Sequence, residues 1–151
     1  MSTDLQWLLI RKYNSFLVKR LPEGPILSKE PGNLTNLHSH KYSGLANNKT
    51  IHIAPATSGV SVTTRKTSVH PSIVGKSSYK TTLRPRSGNR RVAGAISKGT
   101  ASKGYRPDLR HAAVTRAHAI LESQREKKDA PEKKVRGKKA SAAAAAASSS
   151  A

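Results

Sequence analysis

Thr50-Ile51-His52-Ile53-Ala54-Pro55-Ala56-Thr57-Ser58-Gly59-Val60-Ser61-Val62-Thr63-Thr64 carries the clearest strand signal in the chain. Ile51 and Ile53 alternate with His52, and Val60 and Val62 alternate with Ser61 and Thr63. A repeat of two places one side-chain set on an apolar face and the other toward water, which reads as two half-buried strands. Residues 55–59, with Pro55 and Gly59 at their ends, supply the hairpin connection.

Upstream, residues 30–48 are rich in Asn, Gly and Ser and read as loop, with Leu34, Leu37, Tyr42 and Leu45 as anchors into the core. Before that loop, Phe16, Leu17 and Val18 read as a buried strand. Pro22-Glu23-Gly24-Pro25 marks a turn, and Ile26 and Leu27 begin the returning strand. Asp4 to Ile10 reads as a short helix capped by Thr3 or Ser2, a strand being the alternative for so short a run.

Downstream of the hairpin the pattern weakens. Residues 65–86 read as an extended, partner-dependent segment, with Pro71 and Pro85 restricting the backbone. Asn89 to Ser102 reads as a helix using Val92, Ala95 and Ile96, although Gly94 and Gly99 each cost about 1 kcal/mol relative to alanine. The strongest helix starts at Pro107, a residue suited to a first helical position, and runs to about Gln124. Leu109, Ala113, Ala117, Ile120 and Leu121 form its apolar face.

These elements predict an α+β fold: a small mixed β-sheet domain with a short N-terminal helix over residues 1–83, then a basic extension with one or two C-terminal helices over 84–126. A disordered Lys-rich and Ala/Ser-rich tail is expected over 127–151. Of the 34 large apolar residues, 26 lie within the first 83 positions, which places the main core there.

The formal charge is +20 in 151 residues, and the 77 residues between Glu30 and Asp108 contain no carboxylate but 13 of the 28 lysines and arginines. Such a segment needs counter-charge from outside, and a polyanion supplies it with release of condensed counterions. Nucleic acid is the expected partner. Tyr42, Tyr79 and Tyr105 each adjoin a base, so stacking on an unpaired nucleotide and packing into the protein are both open to them. The expected RNA contacts are Lys41, Tyr42, Lys49, Arg65, Lys66, Tyr79, Lys80, Arg84, Arg86, Arg90, Arg91, Lys98, Lys103, Tyr105, Arg106 and Arg110. Trp7, Tyr13 and Phe16 sit in apolar context and read as core.

Other chemistry finds little support. The absence of cysteine excludes disulfides, thiolate zinc sites and cysteine nucleophiles. Gly75-Lys76-Ser77 has the ending of a phosphate-binding loop, but His70 stands where that loop needs a glycine. His38, His40 and His52 lack a diagnostic metal spacing and read as ordinary loop and strand histidines. The eight carboxylates form no acid–base pair. No enzyme, cofactor or metal is expected. Leu8 to Ile10 is cut short by Arg11 and Lys12, far from a signal sequence or membrane span, so a soluble intracellular chain is expected. The basic run from Lys127 to Lys139 reads equally as a nuclear import signal, an RNA contact or a solvated tail.

The order of segments is more specific than the charge. Leu5-Gln6-Trp7, Phe16-Leu17-Val18-Lys19-Arg20, Glu30-Pro31-Gly32-Asn33-Leu34, Tyr42-Ser43-Gly44-Leu45-Ala46-Asn47 with Lys49-Thr50, and Tyr105-Arg106-Pro107-Asp108-Leu109-Arg110 with Ala112-Ala113 follow one another here. This succession resembles the eukaryotic-type L-twenty-eight family of large-subunit ribosomal proteins over about positions 5 to 125, with residues 65–103 matching mainly in basic character. The resemblance implies a structural protein of the cytosolic large subunit that binds ribosomal RNA, adjoins other ribosomal proteins, passes through the nucleus and nucleolus during assembly, and has no catalytic residues. No membrane contact and no homo-oligomer are expected. A related family of nuclear ribosome-assembly factors sharing the N-terminal domain is the alternative, although those proteins look cysteine-bearing in the region equivalent to Leu27 to Leu45.

Overall fold

The computed structural model describes residues 2–20, 22–57, 59–70, 73, 75–84, 86, 88–126 and 137. The 50–64 pattern forms the hairpin that organises the rest. Strands β3 (Ile51–Ala56) and β4 (Gly59–Arg65) pair antiparallel from Ile51↔Thr64 to Ala56↔Gly59, after a two-residue ladder of β1 (Leu17–Val18) and β2 (Leu27–Ser28) earlier in the chain. Both hairpin strands run further than expected, and Pro55 lies inside β3 rather than in the connection. β3 is an edge strand in the order β3-β4-β5, where a missing N–H need not break a ladder bond.

The third strand, β5 (Ser78–Leu83), pairs antiparallel with β4 from Val60↔Leu83 to Arg65↔Ser78. The stretch 65–86, read as extended and partner-dependent, thus contains a strand paired within the protein that was not expected there. Tyr79, Lys80, Thr81 and Thr82 are all exposed, so β5 shows no apolar alternation, and its β-branched and aromatic content was the available signal. The expected single mixed sheet is two small antiparallel sheets. The fold remains α+β.

Helix α1 (Thr3–Ile10) is capped by Ser2, whose Oγ accepts the Leu5 N–H at 3.3 Å. None of its residues is buried. Helix α2 (Gly88–Ser97) buries Val92 and Ile96 and widens into a π-helical turn at Lys98–Ser102, where the Thr100 hydroxyl donates to the Ile96 carbonyl at 2.9 Å. A 3-10 turn at Pro107–Leu109 leads into α3 (Arg110–Ser123). Leu109, Ala113, Ala117 and Leu121 are buried as their spacing predicts, and Ile120 is partly buried.

The core is where the prediction moves most. Leu34, Ile51, Ile53 and Val60 pack with Val92, Ile96, Leu109, Ala113, Ala117 and Leu121, so the helices after position 83 supply more than half of it. The apolar wealth of the N-terminal segment is not spent on burial: Leu5, Leu8, Leu9, Ile26, Leu37 and Leu45 are exposed. Leu34 and Tyr42 are the loop anchors; Leu37 and Leu45 are not. Tyr13 is 87% exposed and Phe16 is exposed, which corrects their assignment to the core. Trp7 is half-buried and lies against His38 and His40, ring centroids 4.7 and 5.7 Å away. The physical reason is the shortness of the β1–β2 ladder, which offers these side chains no second layer to pack against.

Among the described residues no helix is long and apolar enough to cross a membrane. The Lys127–Lys139 run and the Ala/Ser tail lie outside the described residues, apart from Gly137.

Candidate nucleic-acid interface

The loop between β2 and β3 is built around a close approach of two glycines. Gly32 has φ +87°, open to glycine at little cost, and a Cβ on Gly44 would stand 2.0 Å from the Pro31 carbonyl oxygen. Around this crossing, buried Glu30 accepts hydrogen bonds from Asn33 Nδ2 at 3.1 Å and Ser43 Oγ at 3.1 Å. Asn47 Nδ2 donates to the carbonyls of His40 and Ser43 at 2.7 and 2.8 Å. Polar loop residues thus supply partners that an irregular buried backbone would otherwise lack.

Cations and one tyrosine tie this loop to the sheet and helices. Arg65 donates to the carbonyls of Asn47 and Gly44 at 3.1 and 3.3 Å. The Tyr105 hydroxyl accepts the Thr50 N–H at 3.2 Å and donates to the Arg65 carbonyl. Burial raises the pKa of that phenol, so it keeps its proton. Arg106 spans the Lys49 and Lys41 carbonyls at 3.0 and 2.9 Å and grips Asp108 with two bonds at 2.9 and 2.8 Å. The hydrogen bond from Arg106 lowers the pKa of Asp108.

Arg116 was not among the expected sites. Its Nε donates to the Ile53 carbonyl at 3.0 Å, while Nη1 reaches the Asn33 and Leu34 carbonyls at 3.2 and 2.9 Å and Asn36 Oδ1 at 3.1 Å. A lone arginine on an otherwise ordinary helix face gave no sequence signal for this. Replacing it by methionine is expected to destabilise the fold by roughly 2–3 kcal/mol in urea unfolding, because several carbonyls lose a charged donor. Arg110→Met, which removes one exposed bond to Ser97 Oγ at 3.3 Å, should cost within about 0.5 kcal/mol.

His52 joins the same network: its Nδ1 accepts the Gly32 N–H at 3.1 Å. Burial first, and the nearby Arg116 charge second, hold its pKa below the ordinary 6.5. The unfolded chain then binds more protons, so this stabilisation is complete above pH 6.5 and is lost as pH falls from there toward the lowered folded value. Unfolding free energy measured between pH 7 and 5 is expected to drop, and His52→Asn, which can still accept from Gly32, should flatten that drop.

The expected RNA contacts therefore divide. Arg65, Tyr105 and Arg106 are half-buried and engaged inside the protein, and Tyr42 packs against the core. Lys41 and Lys49 are exposed, their ammonium groups 5.6 and 5.8 Å from the Tyr42 and Tyr105 ring centres. Lys66, Lys80, Arg84, Arg86, Arg90, Arg91, Lys98 and Lys103 are exposed with no side-chain hydrogen bond or ion pair to a described residue. Tyr79 is 61% exposed.

Two concavities lie on this surface. One, of about 450 Å³, is lined by Lys49, Arg65 and Lys66 together with Gln6, Asn48, Thr67, Val69 and His70. The other, of about 400 Å³, lies between β5 and the end of α2. Among the described residues no group of three His, Asp or Glu side chains is placed to hold a metal ion. His111 is exposed, and His118 Nε2 lies 3.3 Å from the Asn89 carbonyl.

Residues 5–123 match the ribosomal L28e protein family. A large ribosomal subunit protein eL28 of Dictyostelium discoideum is 38% identical over 138 residues, spanning 90% of this chain and 98% of that one. Its namesake in Schizosaccharomyces pombe is 36% identical over 132 residues, spanning 84% and 96% respectively. That of Caenorhabditis elegans is 39% identical over 71 residues, or 47% of this chain and 56% of the relative. The matched stretch takes in Gly32, Gly44, Tyr105 and Arg106, whose segments the structure draws together, and the chain belongs to the ribosomal L28e protein family, whose members are structural ribosomal proteins rather than enzymes.

Proposed function

We propose that the chain is a structural constituent of the cytosolic large (60S) ribosomal subunit, where it binds and stabilises ribosomal RNA and adjoins other ribosomal proteins as a single copy. It reaches that position after passage through the nucleus and nucleolus. One observation carries this reading. The carboxylates nearest the cationic surface in sequence are engaged within the chain, Glu30 by Asn33 and Ser43 and Asp108 by Arg106, and Lys80, Arg84, Arg86, Arg90 and Arg91 are exposed with no ion pair to a described residue.

The internal bonds of Arg65, Arg106 and Arg116 hold the loop and sheet in place, so the exposed cations meet phosphates from a preorganised surface. Lys49, Arg65 and Lys66 give the concavity they line a phosphate-binding character. Lys41, Lys98, Lys103 and Arg110 extend the basic surface, and affinity is then dominated by counterion release.

Filter binding of the full chain to a large-subunit RNA fragment, as a function of salt, tests this. With about ten phosphates neutralised, the logarithmic slope is expected at roughly −7 to −9. A slope near zero would sink the electrostatic account.

A further inference from the structure

We propose that the groove between β5 and the end of α2 receives an unpaired base extruded from RNA, with the Tyr79 ring stacking on it and Lys103 meeting its phosphate. This rests on the RNA-binding reading and adds the part of the RNA that is recognised.

The groove arises because the helical layer covers the sheet unevenly. Helix α3 packs on β3 and β4, whereas β5 is exposed from Ser78 to Thr82. Register places Tyr79 beside Thr64 and Thr81 beside Val62, and these four side chains line one wall. Ile96, Thr100 and Lys103 line the groove from the helical side. At about 400 Å³ it falls within the range of small-molecule sites, roughly 300–1,000 Å³.

Charge and ring chemistry select the occupant. Every lining residue lies between Val62 and Tyr105, inside the stretch that has no carboxylate, and Lys103 is in the lining itself. Arg84 and Lys98 are sequence neighbours of lining residues, while Lys80 alternates to the other face of β5. A largely apolar slot whose one charged lining residue among those described is Lys103 suits a flat, apolar-faced group attached to an anion, which describes a nucleotide. Tyr79 makes no ring stacking or cation–π contact with a described residue, so its face is open to a base. The Thr64 and Thr81 hydroxyls offer either donor or acceptor, which favours tolerance among bases over strict readout.

The test compares binding of the full chain to an eight-nucleotide single-stranded oligouridine and to a blunt twelve-base-pair RNA duplex at one salt concentration. Tyr79→Ala is expected to weaken single-strand binding roughly tenfold or more, with the duplex unchanged. Tyr79→Phe should restore binding, and the salt slope of Tyr79→Ala should match that of the unaltered chain because no phosphate contact is lost. Since Tyr79 is exposed, an unchanged thermal transition is expected for both variants. Equal loss on both RNAs, or no loss on either, overturns the groove assignment. Salt-dependent binding that survives with no effect at Tyr79 leaves the RNA-binding reading standing, whereas failure of the unaltered chain to bind either RNA overturns both. Release of a neighbouring ribosomal protein by Tyr79→Ala, with both RNAs unaffected, would give the groove to a protein segment and likewise overturn the assignment.

Discussion

Gly44→Ala is expected to destabilise the fold by roughly 3 kcal/mol or more, the upper range for forcing an atom into a filled site. The added Cβ would sit 2.0 Å from the Pro31 carbonyl oxygen, 2.9 Å from Gly32 Cα and 3.0 Å from the Gly32 carbonyl carbon. All three are backbone atoms, so relief requires opening the loop rather than turning a side chain. Opening it would strain the Glu30, Asn33 and Ser43 network and weaken the grip of Arg65 on the Gly44 carbonyl. A fall of about 10 °C in the thermal midpoint should follow. Gly94→Ala is the control: nothing lies within 4 Å of its added Cβ, and alanine in the exposed interior of α2 should stabilise by about 0.5–1 kcal/mol. Equal transitions for the two variants would contradict the close glycine crossing.

Reversing Arg84, Arg86, Arg90 and Arg91 together to glutamate is expected to weaken association with large-subunit RNA by roughly 10²–10³-fold near physiological salt. The slope against salt should become shallower by about 3 to 4. These side chains flank the β5–α2 junction, are exposed, and make no side-chain hydrogen bond or ion pair with a described residue, so their charge is available to an external anion. Reversal at Lys138 and Lys139 should cost less, since Arg90 and Arg91 lie in α2 and Arg84 and Arg86 in the short segment joining it to β5. Equal and small losses in both variants, measured by filter binding, would contradict a preorganised surface.

The legible parts of the fold were those where burial follows a short period. Ile51 and Ile53 against Val60 and Val62 gave the hairpin, and Leu109, Ala113, Ala117 and Leu121 gave α3. β5 was hidden because Tyr79 to Thr82 are exposed on both sides of the strand, leaving no hydropathy contrast to read. The core was misplaced because composition counts apolar residues without knowing which have a second layer above them. Leu5, Leu8 and Leu9 lie on a helix that buries none of its residues, whereas small Ala113 and Ala117 are fully buried.

At single positions the internal role of a charge was not legible. Arg65 and Arg106, expected as RNA contacts, and Arg116, not singled out in the sequence, place their guanidinium groups on carbonyls 18 to 83 residues away. Such pairings depend on the folded path and have no local signature. The resemblance of Glu30-Pro31-Gly32-Asn33-Leu34, Tyr42-Ser43-Gly44 and Tyr105-Arg106-Pro107-Asp108 to one family did mark these segments. In the structure they meet as one scaffold, through the Gly32–Gly44 approach and the bonds of Arg106 to the Lys41 and Lys49 carbonyls.

Sedimentation of the tagged chain from a cell lysate on a sucrose gradient, alongside a sample in which EDTA separates the subunits, tests the central claim most directly. The account predicts co-migration with polysomes and a shift to the free large subunit in EDTA. Confinement to nuclear precursor particles, or absence from both fractions, would contradict it.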